Sequence, residues 1–250
     1  MQSSEYIFGL RAIIEAVESG KEIDKVFLKK DLHGDLATEL IDLLRANRIV
    51  CQRVPVEKLN RITRKNHQGA IAMISAISYH RLDYLVPELF EQGAVPFVVM
   101  LDGITDVRNF GAIARTCECA GVHAVVIPSH GSVSVGADAV KTSAGALLHL
   151  PVCRVDSLVS AVRYLKESGF NVIGITEKTT NSFSKLDYTA PTALVLGSED
   201  TGISPQVLAQ CTDRGSIPMF GRIGSLNVSV AAGIAIYGVV QSRLDAGFER

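Results

Sequence analysis

The stretch Phe97-Val-Val-Met-Leu-Asp-Gly-Ile-Thr-Asp-Val-Arg-Asn-Phe-Gly-Ala-Ile-Ala-Arg115 joins an apolar run to a polar loop and then to a segment with helical spacing. The apolar run, residues 97–101, is nearly continuous, which is typical of a strand in a parallel sheet that is covered on both faces. Gly103 then ends the strand, and Asn109 and Gly111 precede a helix that carries Arg115. The stretch therefore predicts a strand–loop–helix unit of an α/β domain.

The residues that follow repeat this alternation. Further apolar runs at 124–128, 171–175 and 193–197 predict strands, and residues 217–219 predict a short edge strand or loop. Helices are predicted between and after them, at 112–120, 138–146, 157–168, 205–210 and 228–244. We expect a doubly wound, mostly parallel sheet, and such sheets bind ligands at the carboxyl ends of their strands.

The first part of the chain predicts a separate, smaller α/β domain. Helices are expected at 6–18, 35–47 and 56–62, and strands at 25–29, 50–54 and 70–77. Residues 78–93 are more polar and contain Pro87, which favours a linker. The predicted organisation is a small domain at 1–77, a linker at 78–94 and a larger domain at 95–250.

Composition indicates a soluble globular protein. Of the 250 residues, 47% are apolar and 20% are charged, with a formal net charge of −1. No apolar run approaches the roughly 20 residues that span a bilayer, and the first residues lack the basic region of a signal peptide. The five cysteines are scattered without a CxxC pair, so we expect reduced thiols in a cytoplasmic protein, with no metal site and no membrane association.

The segment 45–65 is a basic strip on a nearly neutral chain. Its only acidic residue is Glu57, and its basic residues are Arg45, Arg48, Arg53, Lys58, Arg61, Arg64 and Lys65. Such a strip indicates an anionic partner that meets one face of the protein, for example a phosphate backbone. A solvated helix face with ordinary lysines and arginines explains the charges equally well.

Three polar segments follow predicted strands or open predicted helices. The first is 101–115, described above. The second, Leu194-Val-Leu-Gly-Ser-Glu-Asp-Thr-Gly202, places Glu199 between two glycines after a buried strand. The third, Ile217-Pro-Met-Phe-Gly-Arg-Ile-Gly-Ser-Leu-Asn-Val-Ser-Val-Ala231, brings Ser225 and Asn227 to the start of the last helix, where either one could simply be an N-cap.

Several familiar motifs are absent from the sequence. There is no GxxxxGK[ST] loop, no HExxH and no GxSxG, which excludes Walker-type nucleotidases, zincins and α/β-hydrolases. A Rossmann oxidoreductase is disfavoured because no GxGxxG follows a predicted strand. The pattern favours a small-molecule ligand together with a nucleic acid, without specifying the chemistry.

Taken together and in this order, Asn109-Phe-Gly-Ala-Ile-Ala-Arg115, Leu196-Gly-Ser-Glu-Asp-Thr-Gly202 and Ser225-Leu-Asn-Val-Ser-Val-Ala231 resemble the three motifs of the SpoU (TrmH-like) family. Ile7-Phe-Gly-Leu-Arg-Ala-Ile and Asn66-His-Gln-Gly-Ala-Ile resemble its N-terminal RNA-binding domain. The resemblance covers nearly the whole chain. It is strongest to the bacterial enzymes of the family that methylate a guanosine ribose of 23S rRNA.

The resemblance implies an S-adenosylmethionine-dependent methyltransferase that acts on the ribose 2′-hydroxyl of RNA. The implied fold is α/β: an L30e-like N-terminal domain, and a C-terminal α/β-knot (SPOUT) domain with a deep trefoil knot and a mostly parallel sheet. The implied assembly is a homodimer. The same chemistry on tRNA, and a non-catalytic RNA-binding protein of ribosome assembly, are the alternatives.

Positions that match the family motifs supply candidate site residues. The resemblance implies a catalytic set of Asn109, Arg115, Glu199, Ser225 and Asn227. It implies cofactor contacts from Thr176, Gly197, Ile217, Met219 and Leu226. The sequence departs from the usual motifs at Val107-Arg108 and at Asp200-Thr201, and Arg108 joins the basic strip as a further RNA contact.

Two roles for Arg115 remain open. A guanidinium has a pKa above about 12, so it acts as a base only in a desolvated site with help from the substrate phosphate. The role we favour is binding of that phosphate and orientation of the hydroxyl, with Asn109 and Glu199 holding the arginine and the ribose in place. A surface arginine paired with Glu118 is the purely structural alternative.

Overall fold

The computed structural model describes residues 6–249, which form two units. The first unit contains the chain up to Ser78 together with Ser134–Asp138, and the second contains Tyr79–Val133 and the chain from Ala139 onward. None of the helices in the described part is long and apolar enough to cross a membrane.

The first unit is a four-stranded sheet with three helices. Its elements are β1 (Tyr6–Phe8), α1 (Leu10–Glu18), β2 (Ile23–Lys29), α2 (Asp35–Ala46), β3 (Val50–Val54), α3 (Val56–Ile62) and β4 (Ala70–Ile74). The strand order is β1-β4-β2-β3; β2 and β3 pair in parallel, and β4 is antiparallel to both of its neighbours. Apolar residues of α1 and α2 cover one face of this sheet, and those of α3 cover the other.

The second unit contains the larger sheet. Its strands are β5 (Phe97–Asp102), β6 (Ala124–Pro128), β7 (Val152–Val155), β8 (Asn171–Ile175), β9 (Thr192–Gly197) and β10 (Asp213–Gly215). Its helices are α4 (Leu82–Glu91), α5 (Val107–Cys119), α7 (Leu158–Glu167), α8 (Pro205–Leu208) and α9 (Val228–Asp245), with short 3₁₀ helices at Ala146–Leu148 and Phe183–Lys185. Helix α6 (Ala137–Thr142) begins in the segment assigned to the first unit and ends in the second. The strand order is β10-β8-β9-β5-β6-β7 and every pairing is parallel, which confirms the predicted parallel sheet.

Helices cover both faces of the larger sheet. Alternate residues of β5, such as Val98 and Met100, pack with α4, α7 and α8. Helices α5 and α9 lie against each other on the other face, where α9 contacts β9. The adjacent central strands β8, β9 and β5 all run in the same direction, so the loops that follow them emerge at one edge of the sheet.

The structure differs from the sequence expectations at four places. Residues 6–8 are strand β1 and not the first turn of a helix, because Gly9 adopts a φ of 92° and separates them from α1. Residues 82–91, within the expected linker, form α4, whose apolar side chains pack into the core of the second unit. Strands β7 and β10 were not predicted, whereas residues 217–219 are a loop, one of the two alternatives expected for them.

Arg243, near the end of α9, is buried and makes an unusual set of contacts. Its guanidinium donates four hydrogen bonds of 3.0–3.3 Å to main-chain carbonyls, those of Val95, Pro96, Tyr188 and Ala190. It lies 5.3 Å from the ring centre of Phe97 and 5.4 Å from that of Phe248. Burial lowers the pKa of this guanidinium. Arg243 thus ties the end of the last helix to the chain just before β5 and just before β9.

Candidate active site

A cavity of about 320 Å³ opens at the carboxyl edge of the larger sheet. It is lined by the ends of β8 and β9, the loop 198–202, parts of the segment 217–226 and the first turn of α9. Two of the polar segments picked out in the sequence border this space: 194–202, which continues from β9, and 217–231, which follows β10 on the other side of β8. Its size lies in the range of small-molecule sites.

All five predicted cofactor contacts line this one cavity: Thr176, Gly197, Ile217, Met219 and Leu226. Thr176 is buried, and its hydroxyl accepts a hydrogen bond of 3.2 Å from the Lys178 main-chain N–H. The polar hydroxyl and the apolar side chains of Ile217 and Leu226 together suit a nucleoside, which has both hydrogen-bonding and apolar surfaces.

The chain folds back against Gly197 directly after β9, and only glycine fits at this position. A Cβ at this position would stand 2.0 Å from the carbonyl carbon of Gly202 and from the nitrogen of Ile203. The return is closed by a hydrogen bond of 2.9 Å from the Gly202 N–H to the Ser198 carbonyl. Any side chain at 197 would therefore push the loop 198–202 out of its place beside the cavity.

Glu199 is the centre of a hydrogen-bonded cluster that unites the three polar segments. Its Oε1 accepts from Asn109 Nδ2 at 3.1 Å, from Asn227 Nδ2, and from the Val228 N–H at 3.2 Å. Asn227 Nδ2 also donates to Asn109 Oδ1 at 3.1 Å. The carboxylate lies at the N-terminal end of α9, where unpaired N–H groups favour a negative charge.

Both helices that meet at Glu199 begin with a side-chain cap. Asp106 accepts from the Asn109 N–H at 2.8 Å at the start of α5. Asn227 Oδ1 accepts from the Ser229 N–H at 2.9 Å at the start of α9. Asn227 is thus the N-cap of α9, one of the possibilities that the sequence left open. Its amide nitrogen also donates a hydrogen bond to Glu199.

Ser225 is exposed and lines the cavity, whereas Arg115 lies elsewhere. Arg115 follows Asn109 by six positions on α5, which places it about 9 Å further along the helix axis and on a different face. Arg115 lines another cleft, together with Glu118 and residues 143–149. Within residues 6–249 no ion pair joins it to Glu118, so the paired-surface alternative is not observed.

Other residues that line the cavity were not among the predicted site residues. Glu177 and Lys178 follow β8 directly, and Asp200 and Thr201 follow Glu199. Their position after parallel strands was the available signal. Asp102, at the end of β5, has a supporting place: its carboxylate accepts from the Ser204 N–H at 2.8 Å and so fixes the chain after β9.

The residues predicted to bind RNA are all exposed. Seven of them belong to the first unit, whereas Arg108 lies in the first turn of α5 in the second unit. Arg53 donates to main-chain carbonyls of the β2–α2 loop, and Lys58 and Lys65 lie over the rings of Phe27 and Phe8 at 4.5 and 5.8 Å. Several of these cations are therefore held in place on the surface.

All five cysteines are free thiols. Among residues 6–249 no group of three or more His, Cys, Asp or Glu side chains is placed to hold a metal ion.

Comparison with known proteins identifies the family. Residues 96–237 match the SpoU rRNA methylase family, and residues 6–80 match the RNA 2′-O ribose methyltransferase substrate-binding domain. A Bacillus subtilis protein named for the TrmH family of tRNA/rRNA methyltransferases, YacO, is 35% identical over 98% of this chain and 99% of its own length.

Solved structures agree with this assignment. The SpoU methyltransferase AviRb from Streptomyces viridochromogenes, crystallised with AdoMet, has a TM-score of 0.61 and 25% identity, over 96% of this chain and 90% of its own. An AdoMet-bound rRNA methyltransferase from Sinorhizobium meliloti shares the fold, with a TM-score of 0.60 and 22% identity over 94% and 86% of the two chains.

The chain belongs to the SpoU rRNA methylase family. It is an RNA methyltransferase of the tRNA/rRNA type with S-adenosylmethionine as its cofactor. The family, fold class, enzyme class and cofactor expected from the sequence are thereby confirmed.

Proposed function

We propose that the chain transfers the methyl group of S-adenosylmethionine to the ribose 2′-hydroxyl of a guanosine in 23S rRNA. The observation that carries this proposal is the Glu199–Asn109–Asn227 cluster beside the cavity, because it joins all three family motifs at one edge of the sheet. We place the reaction in the cytoplasm.

In this proposal the cavity holds the cofactor, which supplies an electrophilic methyl group when bound. Thr176 and the main chain around Gly197 offer hydrogen-bonding groups, and Ile217, Met219 and Leu226 offer apolar surface. Holding two reactants in line contributes as much as roughly 7–11 kcal/mol toward the barrier of a displacement reaction. The loop 198–202, closed by hydrogen bonds from the Gly202 and Thr201 N–H groups to Ser198, serves that positioning.

We assign the polar side chains at the cavity edge to binding of the ribose. Glu199 fixes the side-chain amides of Asn109 and Asn227. Polar atoms of these three side chains that are not already hydrogen-bonded, together with the Ser225 hydroxyl, are available to orient a ribose hydroxyl. A well-placed proton acceptor adds about 10²–10⁴ in rate. Arg115 is assigned the phosphate-binding role and not the base, because its place on another face of α5 separates it from the cluster.

We also propose that the protein acts as a homodimer through α9. Exposed apolar side chains recur along one stripe of this helix: Val230, Ile234, Tyr237 and Leu244. A stripe with this spacing fits a second helix of the same kind. Sedimentation should therefore give a dimer for the wild-type protein and a monomer for Tyr237→Glu, with Tyr84→Glu, at another exposed tyrosine, as the control. A monomeric wild-type protein refutes this part of the proposal.

The trefoil knot belongs to the same proposal and rests on family membership. Methylation of tRNA is the second candidate, since YacO is named for both tRNA and rRNA. The two candidates share the chemistry and differ only in the RNA.

Labelled S-adenosylmethionine with unmodified 23S rRNA, and separately with tRNA, tests the assignment. We expect label in 23S rRNA, mapped by 2′-O-methyl linkages that resist alkali, and a large loss of label with Arg115→Ala. Glu118→Ala, which changes a neighbour of Arg115 in the same cleft, is the matched control. Label in tRNA alone overturns the rRNA substrate, and label on a base instead of a ribose overturns the 2′-hydroxyl as acceptor.

A further inference from the structure

The first unit contains a polar groove whose lining joins Lys65 of the basic strip to residues 66–69, within the segment that resembles the family's N-terminal domain. Its volume is about 510 Å³, and it lies between the β2–α2 loop, helix α3 and the segment 65–69. Its polar lining includes Lys29, Asn60, Lys65, Asn66 and Gln68. A space of this size accepts one nucleotide.

A buried histidine fixes the wall of this groove. His67 Nδ1 accepts from the Gly69 N–H at 3.0 Å, so its proton resides on Nε2, which donates to Asn60 Oδ1 at 3.0 Å. The oxygen of Asn60 is thereby occupied, and its amide nitrogen is the group left to donate to a ligand. Gln68 is oriented in the same way, because its Oε1 accepts from the Leu10 N–H at 3.3 Å.

The charge of the groove favours an anion. Lys29 is neutralised by Asp31, whose carboxylate lies 3.0 Å from Lys29 Nζ. Lys65 lies over the ring of Phe8, which holds its ammonium group without a carboxylate partner in the described residues. Arg53 supports the rim through hydrogen bonds of 3.0 Å to the carbonyls of Lys30 and Leu32.

We infer that this groove binds one unpaired nucleotide of the RNA, with Lys65 on its phosphate and the amides of Asn60 and Gln68 on acceptor atoms of its base. The inference rests on the proposed function, since it takes RNA to be the substrate. Proteins read RNA sequence mainly through unstacked bases of loops and bulges, and oriented amide donors can distinguish one base edge from another. The groove therefore helps to select the RNA, at a site separate from the one where the methyl group is transferred.

Two variants of the full-length protein test the groove. Asn60→Asp keeps an oxygen acceptor for His67 but replaces the amide donor with a negative charge, and Lys65→Gln removes one positive charge. Lys21→Gln is the control, because residue 21 precedes β2 whereas the groove lies beyond the other end of that strand, about 20 Å away. RNA affinity is measured by filter binding, cofactor affinity by calorimetry and folding by circular dichroism.

We expect each groove variant to weaken RNA binding by about tenfold, because each variant loses one hydrogen bond or one ionic contact with the RNA. Lys65→Gln should also lower the slope of log Kd against log salt by about 0.7, the value for one phosphate of a single strand. Cofactor affinity and the control should stay within twofold of wild type. Unchanged RNA affinity, or an equal loss in the control, refutes the inference.

RNA that carries 4-thiouridine locates the contact directly. Crosslinks to peptides of residues 29–33 or 60–69 support the groove, and crosslinks confined to other peptides overturn it. Displacement of these crosslinks by micromolar free nucleoside monophosphate would instead make it a site for a free nucleotide. If the wild-type protein crosslinks through the groove yet methylates neither rRNA nor tRNA, the proposed function fails and the groove stands.

Discussion

Replacement of Arg243 by methionine should destabilise the second unit by about 3 kcal/mol. The substitution removes the guanidinium and keeps an apolar side chain against Phe97 and Phe248. Of the four carbonyls that Arg243 serves, Pro96 retains the Thr192 N–H and Ala190 retains the Thr192 hydroxyl as donors. The carbonyls of Val95 and Tyr188 lose the only donor that they have among residues 6–249.

Each orphaned carbonyl costs about 1–3 kcal/mol, which gives roughly 2–6 kcal/mol for the two. Burying the guanidinium charge of Arg243 has a desolvation cost in the wild-type protein. Because the substitution removes this cost, the expected destabilisation lies in the lower half of the range. Arg243→Lys keeps a charge and reaches fewer of the carbonyls, so its loss should be smaller.

Urea unfolding followed by circular dichroism measures the change, and hydrogen exchange of peptides around 92–100 and 236–249 locates it. Arg163→Met, at an exposed arginine of α7, should stay within about 0.5 kcal/mol of wild type. A loss below 1 kcal/mol for Arg243→Met, or faster exchange that spares both peptides, would refute the reasoning.

Three further outcomes follow from particular side chains. Glu199→Gln should lower kcat by about 10²-fold, since it removes the charge that aligns two amides; an unchanged kcat in methyl-transfer assays would contradict this role. Burial lowers the pKa of His123 below its usual 6.5, so the unfolded chain takes up the proton first. The free energy of unfolding should therefore reach its maximum contribution from His123 above about pH 6.5 and decrease as the pH drops below that value. His123→Asn should make this decrease smaller, as measured by urea titrations from pH 5 to 8. Burial raises the pKa of Cys153 to about 12 and that of Cys211 to about 11, so a thiol reagent at neutral pH should modify exposed Cys119 first; equal rates for all three in peptide mapping would contradict it.

Much of the fold could be predicted from the sequence because buried parallel strands leave continuous apolar runs. Residues 124–128 and 171–175 form strands at those exact bounds. Strand β1 was missed because its three residues carry the same apolar spacing as the helix that follows. Helix α4 was missed because Pro87 and the acidic residues suggested a linker, although Leu82, Leu85 and Leu89 already had the spacing of a buried helical face.

The candidate site, like the fold, could be predicted from the sequence only in part. The Glu199 cluster and the cavity could be predicted from motif resemblance, because loops after neighbouring parallel strands meet at one edge. Which atoms bond could not be predicted: Glu199 accepts from a main-chain N–H of α9 as well as from two amides. The distance of Arg115 from this cluster follows from helix geometry, since residues six apart do not share a face.

The position of α9 in the chain has a consequence for biosynthesis. This helix supplies Asn227 and the Val228 N–H to Glu199 at one end, and Arg243 to the chain before β5 and β9 at the other. A nascent chain that ends before residue 227 can form the strands, yet it lacks the donors that hold the carboxylate. The enzyme therefore becomes competent only after residues 227–243 have been synthesised, and a product truncated before them keeps the first unit without the completed Glu199 cluster.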